Sequence, residues 1–235
     1  KKWLVKSPQE RTDVETFRSN LKVDPVVAEL LLQRGIDTYD AAHAFFRPDL
    51  NSLHDPFLMQ DMNLAVERLQ EAIDQQQKVL LFGDYDVDGT TAVALLYTFL
   101  KDTLPVDYYI PDRYSEGYGV SMKGIDVAEE HDVSLIISLD CGIKSNKEVA
   151  YANSKGIDFI VCDHHEPGAA LPDAIVLDPK RVDCQYPYKE LSGCGVGFKL
   201  LQGLSEANNW SLDNLFNHLD LLAVSIGADI VPITG

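Results

Sequence analysis

Apolar residues recur along this chain with two different periods, and the change from one to the other divides it. Met62, Ala65, Val66, Leu69, Ala72 and Ile73 fall at helical spacing, with Glu67, Gln70 and Asp74 on the opposite side. Upstream, Asp24-Pro25 places a capping oxygen and a first-turn proline ahead of a helix predicted over Val26–Gln33, and Gly35 supplies its stop. A second short helix is predicted over Ala41–Phe46, before the break at Pro48. From Val79 onward the texture changes to short apolar runs, predicting strands at Val79–Phe82, Val106–Ile110, Leu135–Leu139, Phe159–Cys162 and Ile175–Leu177. Helices fill the intervals at Thr90–Lys101, Gly124–Glu130 and Lys147–Ser154; another comes after Gly197, beginning near Phe198, and one more spans Leu212–Ile226.

Strands that alternate with helices in this way form successive βαβ units. The expected fold class is therefore α/β, a doubly wound and mostly parallel sheet, with an N-terminal helical extension over residues 1–75 packed on a core domain of residues 76–235. With 235 residues, 46% of them apolar, the chain is long enough to bury a real core. Trp3-Leu4-Val5, flanked by Lys1, Lys2 and Lys6, is far shorter than a signal peptide or a membrane span, so the expected compartment is the cytoplasm, with no membrane partner. Cys141, Cys162, Cys184 and Cys194 form no C-x-x-C pair and are read as reduced, buried thiols. The net charge of −17 argues against a broad basic face. A grip on a phosphate backbone would have to be local, metal-borne or supplied from outside this chain.

The residues just past the strand ends change the picture most. After Val79–Phe82 comes Gly83-Asp84-Tyr85-Asp86-Val87-Asp88-Gly89, after Leu135–Leu139 comes Asp140-Cys141-Gly142, and after Phe159–Cys162 comes Asp163-His164-His165. In an open parallel sheet the carboxyl ends of the strands share one edge, and ligands bind in the crevice there. Any one of these residues is equally consistent with a cap or a turn. Together they gather carboxylates that repel one another unless cations neutralise them. Oxygen ligands with a single imidazole suit Mn2+ or Mg2+ better than zinc, and two such ions ~3.5–4 Å apart form the clamp used in phosphoryl-ester hydrolysis. Two competing motifs overlap this run. A calcium loop fails, because Leu95 stands where a bidentate Glu is required and a strand, not a helix, comes before it. Asp86-Val87-Asp88-Gly89-Thr90 is also similar to the nucleophile loop of haloacid-dehalogenase-like phosphatases, although there the first Asp sits right at the strand end and Asp163-His164-His165 has no role. That remains the alternative.

Leu81 to Thr91, Asp140-Cys141-Gly142, Asp163-His164-His165, Gly193-Cys194-Gly195-Val196-Gly197 and Ala228-Asp229-Ile230-Val231-Pro232 resemble, in order, the motifs of the DHH phosphoesterase superfamily. Within it, Pro111 to Val120 and the pattern Arg34-Gly35-Ile36, Phe46, Pro48 are similar to the RecJ family of single-stranded-DNA exonucleases. The resemblance implies Asp86 on one metal, Asp88 on the other, Asp140 bridging both, and His164 and Asp229 completing the second site. Asp84 is a further member of the metal set, inner or outer. Phe82 stands where many superfamily members carry a His, leaving the first site one ligand poorer or dependent on Asp84. His165 is assigned to the substrate, with Asp140 and Asp163 as its catalytic companions. Arg113 offers a forked donor for phosphate, Tyr118 a stacking ring, and the amides around Gly195 and Gly197 a phosphate cradle. The implied activity is stepwise 5′-to-3′ hydrolysis of single-stranded DNA in repair and recombination, with repair-machinery proteins as partners. Cleavage of short oligonucleotides or cyclic dinucleotides is the alternative within the superfamily. RecJ-like chains also continue into a DHH-associated domain and a nucleic-acid-binding module, neither of which fits after Gly235.

Overall fold

The computed structural model describes Arg11–Ile233; the Lys1–Lys6 segment and Thr234-Gly235 lie outside the described residues. By its contacts the chain forms two compact units, one up to Leu53 and one from His54 to Ile233. The first holds α1 (Arg11–Leu21), α2 (Pro25–Leu32) and α3 (Tyr39–Phe46), which bury Phe17, Ala28, Leu31 and Ala42 in a small core of their own. The Asp24 side chain accepts from the Val26 amide at 2.9 Å to start α2, and Thr38 Oγ1 accepts from Ala41 at 3.2 Å to start α3. The helix α4 (Met62–Asp74) lies inside the second unit rather than with the N-terminal helices, and buries Met62, Ala65, Val66, Leu69 and Ala72 in the sheet's core.

The second unit is built on β1 (Val79–Gly83), β2 (Val106–Tyr109), β3 (Leu135–Leu139), β4 (Asp158–Cys162) and β5 (Ile175–Leu177). All four pairings are parallel, in the order β2-β1-β3-β4-β5. Successive strand residues face opposite sides, so each strand feeds two cores. Val79, Leu81, Leu135, Ile137, Leu139, Ile160 and Cys162 pack with α4, α5 (Val87–Leu100) and α8 (Gly193–Ala207). Leu80, Phe82, Ile136, Phe159 and Val161 pack with α6 (Met122–Glu130) and α7 (Asn146–Ser154). Both faces are covered, which is why the strands read as continuous apolar runs. A fully buried Leu or Ile here contributes ~1.5–3 kcal/mol.

Two helical expectations change. The predicted helix over Leu212–Ile226 is split into α9 (Asp213–Phe216) and α10 (Leu219–Asp229), with Asn217 and His218 between them. The glycine-rich segment is itself the first turn of α8, which begins at Gly193 and not near Phe198. The four cysteines are free and buried, as read from their spacing. Among the described residues no helix is long and apolar enough to cross a membrane.

Candidate metal centre

From β1 the chain moves to β2 on one side and then crosses back to β3 on the other, so the direction of winding reverses between β1 and β3, and there the carboxyl ends open a crevice. Asp84 comes directly after β1 and is fully buried. Asp86 caps α5, its Oδ1 accepting the Gly89 amide at 3.1 Å, and Asp88 lies buried in the first turn. A Cβ on Gly89 would stand 2.5 Å from Asp84 O, so glycine alone lets α5 begin this close to the strand end. Across the reversal, Asp140 holds a left-handed backbone (φ +61°), a conformation that L residues adopt at a cost and that turns its carboxylate toward the β1 acids. A Cβ on Gly193 would lie 2.5 Å from Asp140 Cβ, so the start of α8 is pressed against this residue.

Two of the buried acids are held in place by several hydrogen bonds from the protein. Asp88 Oδ2 accepts the Gly193 amide at 2.6 Å, and its Oδ1 accepts the Cys194 amide at 2.8 Å and the Ser225 hydroxyl at 2.7 Å. Because Ser225 donates to Asp88, the 2.6 Å contact between Ser192 Oγ and Ser225 Oγ has Ser192 as donor. Oδ1 has thereby used its two lone pairs, and Oδ2 keeps one for a further ligand. Asp163 Oδ1 accepts the His164 amide at 2.7 Å, the His165 amide at 3.2 Å and His165 Nδ1 at 2.7 Å, while Oδ2 accepts the Ile143 amide at 2.9 Å. Burial opposes ionisation of Asp163, but the His165 hydrogen bond and these amides hold its pKa below the usual carboxylate range. The same hydrogen bond raises the pKa of His165.

The other groups have no such partners. Both oxygens of Asp84, Oδ1 of Asp140 and both ring nitrogens of His164 are buried without a hydrogen bond among the described residues. His164 Nε2 stands 3.1 Å from Asp140 Oδ1 and 3.7 Å from both Asp88 Oδ2 and Asp229 Oδ2. Burial, reinforced by Asp88, Asp86 and Asp163, pushes Asp140 up to about 10, and burial raises Asp84. Stranded polar atoms cost free energy unless something pairs with them. Single atoms of Asp84, Asp86 and Asp140 lie within 4.8 Å of one another, and so do those of Asp88, His164 and Asp229 and those of Asp140, His164 and His165. Such oxygen-rich sets with an imidazole match the preference of Mn2+ or Mg2+, so the residues present fit a pair of these ions. His165 also comes close enough to join such a set, with Nε2 as the free nitrogen because its Nδ1 is taken by Asp163.

The remaining expected residues divide. Tyr118 stands beside His165, its hydroxyl 3.2 Å from His165 Nε2 and 3.3 Å from the Asp140 carbonyl oxygen, which it donates to. Arg113 lies over the Tyr85 ring at 5.1 Å, and Tyr85 packs edge-on against Tyr118. The phosphate cradle at Gly195 and Gly197 is corrected: the Gly195 amide donates to Ser192 Oγ at 3.1 Å, and Gly197 faces Leu96 and Leu139 in the core. The amides at this helix start serve Asp88 and Ser192 instead. Asp163 is likewise corrected from a catalytic group to a positioning one, since its oxygens are all engaged within the protein. Sequence reasoning missed Ser192 and Ser225, which carry no motif signal, and Asp178, which sits after β5 as the other acids sit after their strands.

The model of the DHH family, N-terminal domain, matches residues 78–226. The chain belongs to the DHH family. Membership in the DHH family replaces the dehalogenase-type reading of Asp86–Thr90. Among its DHH relatives, the single-stranded-DNA-specific exonuclease RecJ of Bacillus subtilis is 40% identical over 235 residues, covering 99% of this chain and 29% of that protein. The RecJ exonuclease of Escherichia coli is 38% identical over 181 residues, 72% of this chain and 31% of that protein. The crystal structure of RecJ in complex with Mn2+ from Thermus thermophilus matches with a TM-score of 0.79 at 28% identity, over 97% of this chain and 32% of that one. The chain thus spans less than a third of the length of these relatives.

Proposed function

We propose that this DHH chain carries the hydrolytic centre of a divalent-cation-dependent phosphodiesterase that degrades single-stranded DNA stepwise from its 5′ end, using two Mn2+ or Mg2+ ions. The observation that carries this reading is the convergence of buried, unpartnered atoms of Asp84, Asp140 and His164 on one crevice. Asp86, Asp140 and the buried Asp84 would hold one ion, and Asp88, Asp140, His164 and Asp229 the other. Bound there, such ions would supply an activated water and neutralise the charge that builds on the phosphoryl oxygens during hydrolysis. The relatives named as single-stranded-DNA-specific exonucleases, and the Mn2+ complex of one RecJ, support the substrate and metal assignments.

The chain's own residues do the rest. Asp163 fixes His165 with Nδ1 inward, so Nε2 is the nitrogen offered to substrate. Raised in pKa, the protonated ring donates from Nε2 to a phosphate or leaving oxygen once Tyr118 yields that contact. Arg113, exposed at the mouth, provides a planar fork for a phosphate, and Tyr118, also exposed, a face for a base. Asp88, drawn tight by two amides and a serine, presents its remaining lone pair in a fixed direction.

The test is a substrate panel with Mn2+: 5′-labelled single-stranded DNA, RNA, a dinucleotide, pyrophosphate and an aryl phosphate. Release of mononucleotides from the 5′ end of DNA, abolished by chelation, is the expected outcome. Cleavage confined to the dinucleotide would favour the oligonucleotide branch of the superfamily, and activity that survives chelation would contradict the two-ion reading.

A further inference from the structure

β5 brings a fourth acid to the same edge of the sheet. The register pairs Cys162 with Leu177, and the Asp163 amide donates to Leu177 O at 3.0 Å, which sets Asp178 beside the Asp163–His164 segment. Asp178 is fully buried. Its Oδ1 accepts the Lys180 amide at 2.7 Å, closing a turn through Pro179, whereas Oδ2 is buried with no hydrogen-bond partner among the described residues. The turn needs only one oxygen, so it does not explain the second.

His164 shows the matching deficit. Its Nε2 faces Asp140, Asp88 and Asp229, while Nδ1 is buried and equally without a partner. An imidazole that gives one nitrogen to a cation keeps its proton on the other, and that buried N–H requires an acceptor. Asp163 does not serve: Oδ1 takes three donors, Oδ2 takes the Ile143 amide, and neither oxygen is bonded to His164 Nδ1. Asp178 and His164 also lie within electrostatic reach of each other. Resting on the two-ion reading above, we propose that Asp178 is a positioning residue whose free Oδ2 accepts the Nδ1 proton of His164 through one bridging water, and so fixes the tautomer in which Nε2 is the metal ligand.

Asp178→Asn separates this role from a structural one. The amide keeps the shape of the side chain and can still accept from Lys180, but it then turns an NH2 donor toward the water that bridges to His164 Nδ1. Flipping the amide restores that acceptor only by facing the NH2 against the Lys180 N–H. Metal-free protein labelled with 15N-histidine is compared as wild type and Asp178→Asn, with the His164 signal identified by its loss in His164→Gln. Mn2+ binding is measured on both by calorimetry, with Asp140→Asn as the control for the site itself. The expected result is an Nδ1-protonated His164 in the wild type, a shift toward the Nε2-protonated form in Asp178→Asn, and a loss of Mn2+ affinity of ~10–100-fold. An Nε2-protonated wild type overturns the proposal by itself, whether or not the variant folds. So does unchanged Mn2+ affinity in Asp178→Asn, or a loss of affinity with no change of tautomer, which would reflect only a removed charge. If the wild type binds no Mn2+, the two-ion reading fails, while the tautomer comparison still judges Asp178.

Discussion

Asp163 and Asp140 sit at the ends of neighbouring strands and are both buried, yet the protein surrounds them in opposite ways. Asp163 receives four hydrogen bonds and is held ionised below its ordinary pKa; Asp140 keeps an unpartnered oxygen among like charges and is driven up to about 10. Asp84 belongs with the second kind, and Asp88 lies between the two: two amides and Ser225 hold it in place, while Oδ2 keeps one lone pair for a cation. Acids that the chain satisfies by itself act as fixed supports, aiming His165 or the start of α8. Acids that it leaves stranded are places where free energy is spent in the metal-free fold and recovered on binding a cation.

The largest effect should come from the stranded side. Asp140→Asn is expected to abolish turnover and the response to Mn2+, while the melting temperature of the metal-free protein stays level or rises, because a buried acid among acids has been neutralised. At Mn2+ a hundredfold above Kd the wild type should gain ~2.7 kcal/mol per site, and the variant none. A metal-free variant that melts well below wild type would show that Asp140 supports the fold after all.

Next in size is His165→Ala. With Asp163 still in place, two Mn2+ should bind as before while kcat falls by roughly 10²–10⁴, the usual contribution of a positioned acid. A phosphodiester with a more acidic leaving group should recover part of the loss. Loss of one Mn2+ from the stoichiometry would instead move His165 into the ligand set.

Asp163→Ala should show the reverse of Asp140→Asn: a metal-free protein destabilised by on the order of 3 kcal/mol, since the buried His164 and Ile143 amides lose their acceptor. Its coupling to His165 should also depend on pH. Asp163 has a lowered folded pKa, so its contribution is complete above about 3.9 and is lost as pH falls through the folded value. His165 has a raised folded pKa, so its contribution is complete below about 6.5 and is lost as pH rises through the folded value. A double-mutant cycle on the metal-free protein should give its largest coupling between roughly pH 4 and 6.5, fading on both sides. A coupling that grows toward alkaline pH would contradict the pairing.

Much of this division was open to sequence reasoning, and the exceptions have physical causes. The strands were readable because both faces of the sheet are covered, so Leu135–Leu139 is apolar throughout save for Ser138, and the acids at their ends came from the βαβ order. The start of α8 was not, because Gly193, Gly195 and Gly197 are poor helix formers and read as a turn. Gly193 and Gly197 are there because α8 presses against Asp140 and against Leu96 and Leu139, a tertiary demand invisible locally. The break at His218 lies inside an apolar run whose periodicity does not change. Asp229 entered only through family resemblance, since an acid at the end of a helix usually caps or pairs. Asp178, an acid before a proline, looks like any turn residue until its second oxygen is found buried and unpartnered.

The most direct measurement is a crystal of this chain grown with Mn2+ and read at the manganese absorption edge. Two anomalous peaks are expected, sharing Asp140, one against Asp84 and Asp86 and the other against Asp88, His164 and Asp229, with Asp163 ligating neither. No peak at the stranded atoms, or a peak held by Asp163, would contradict the account.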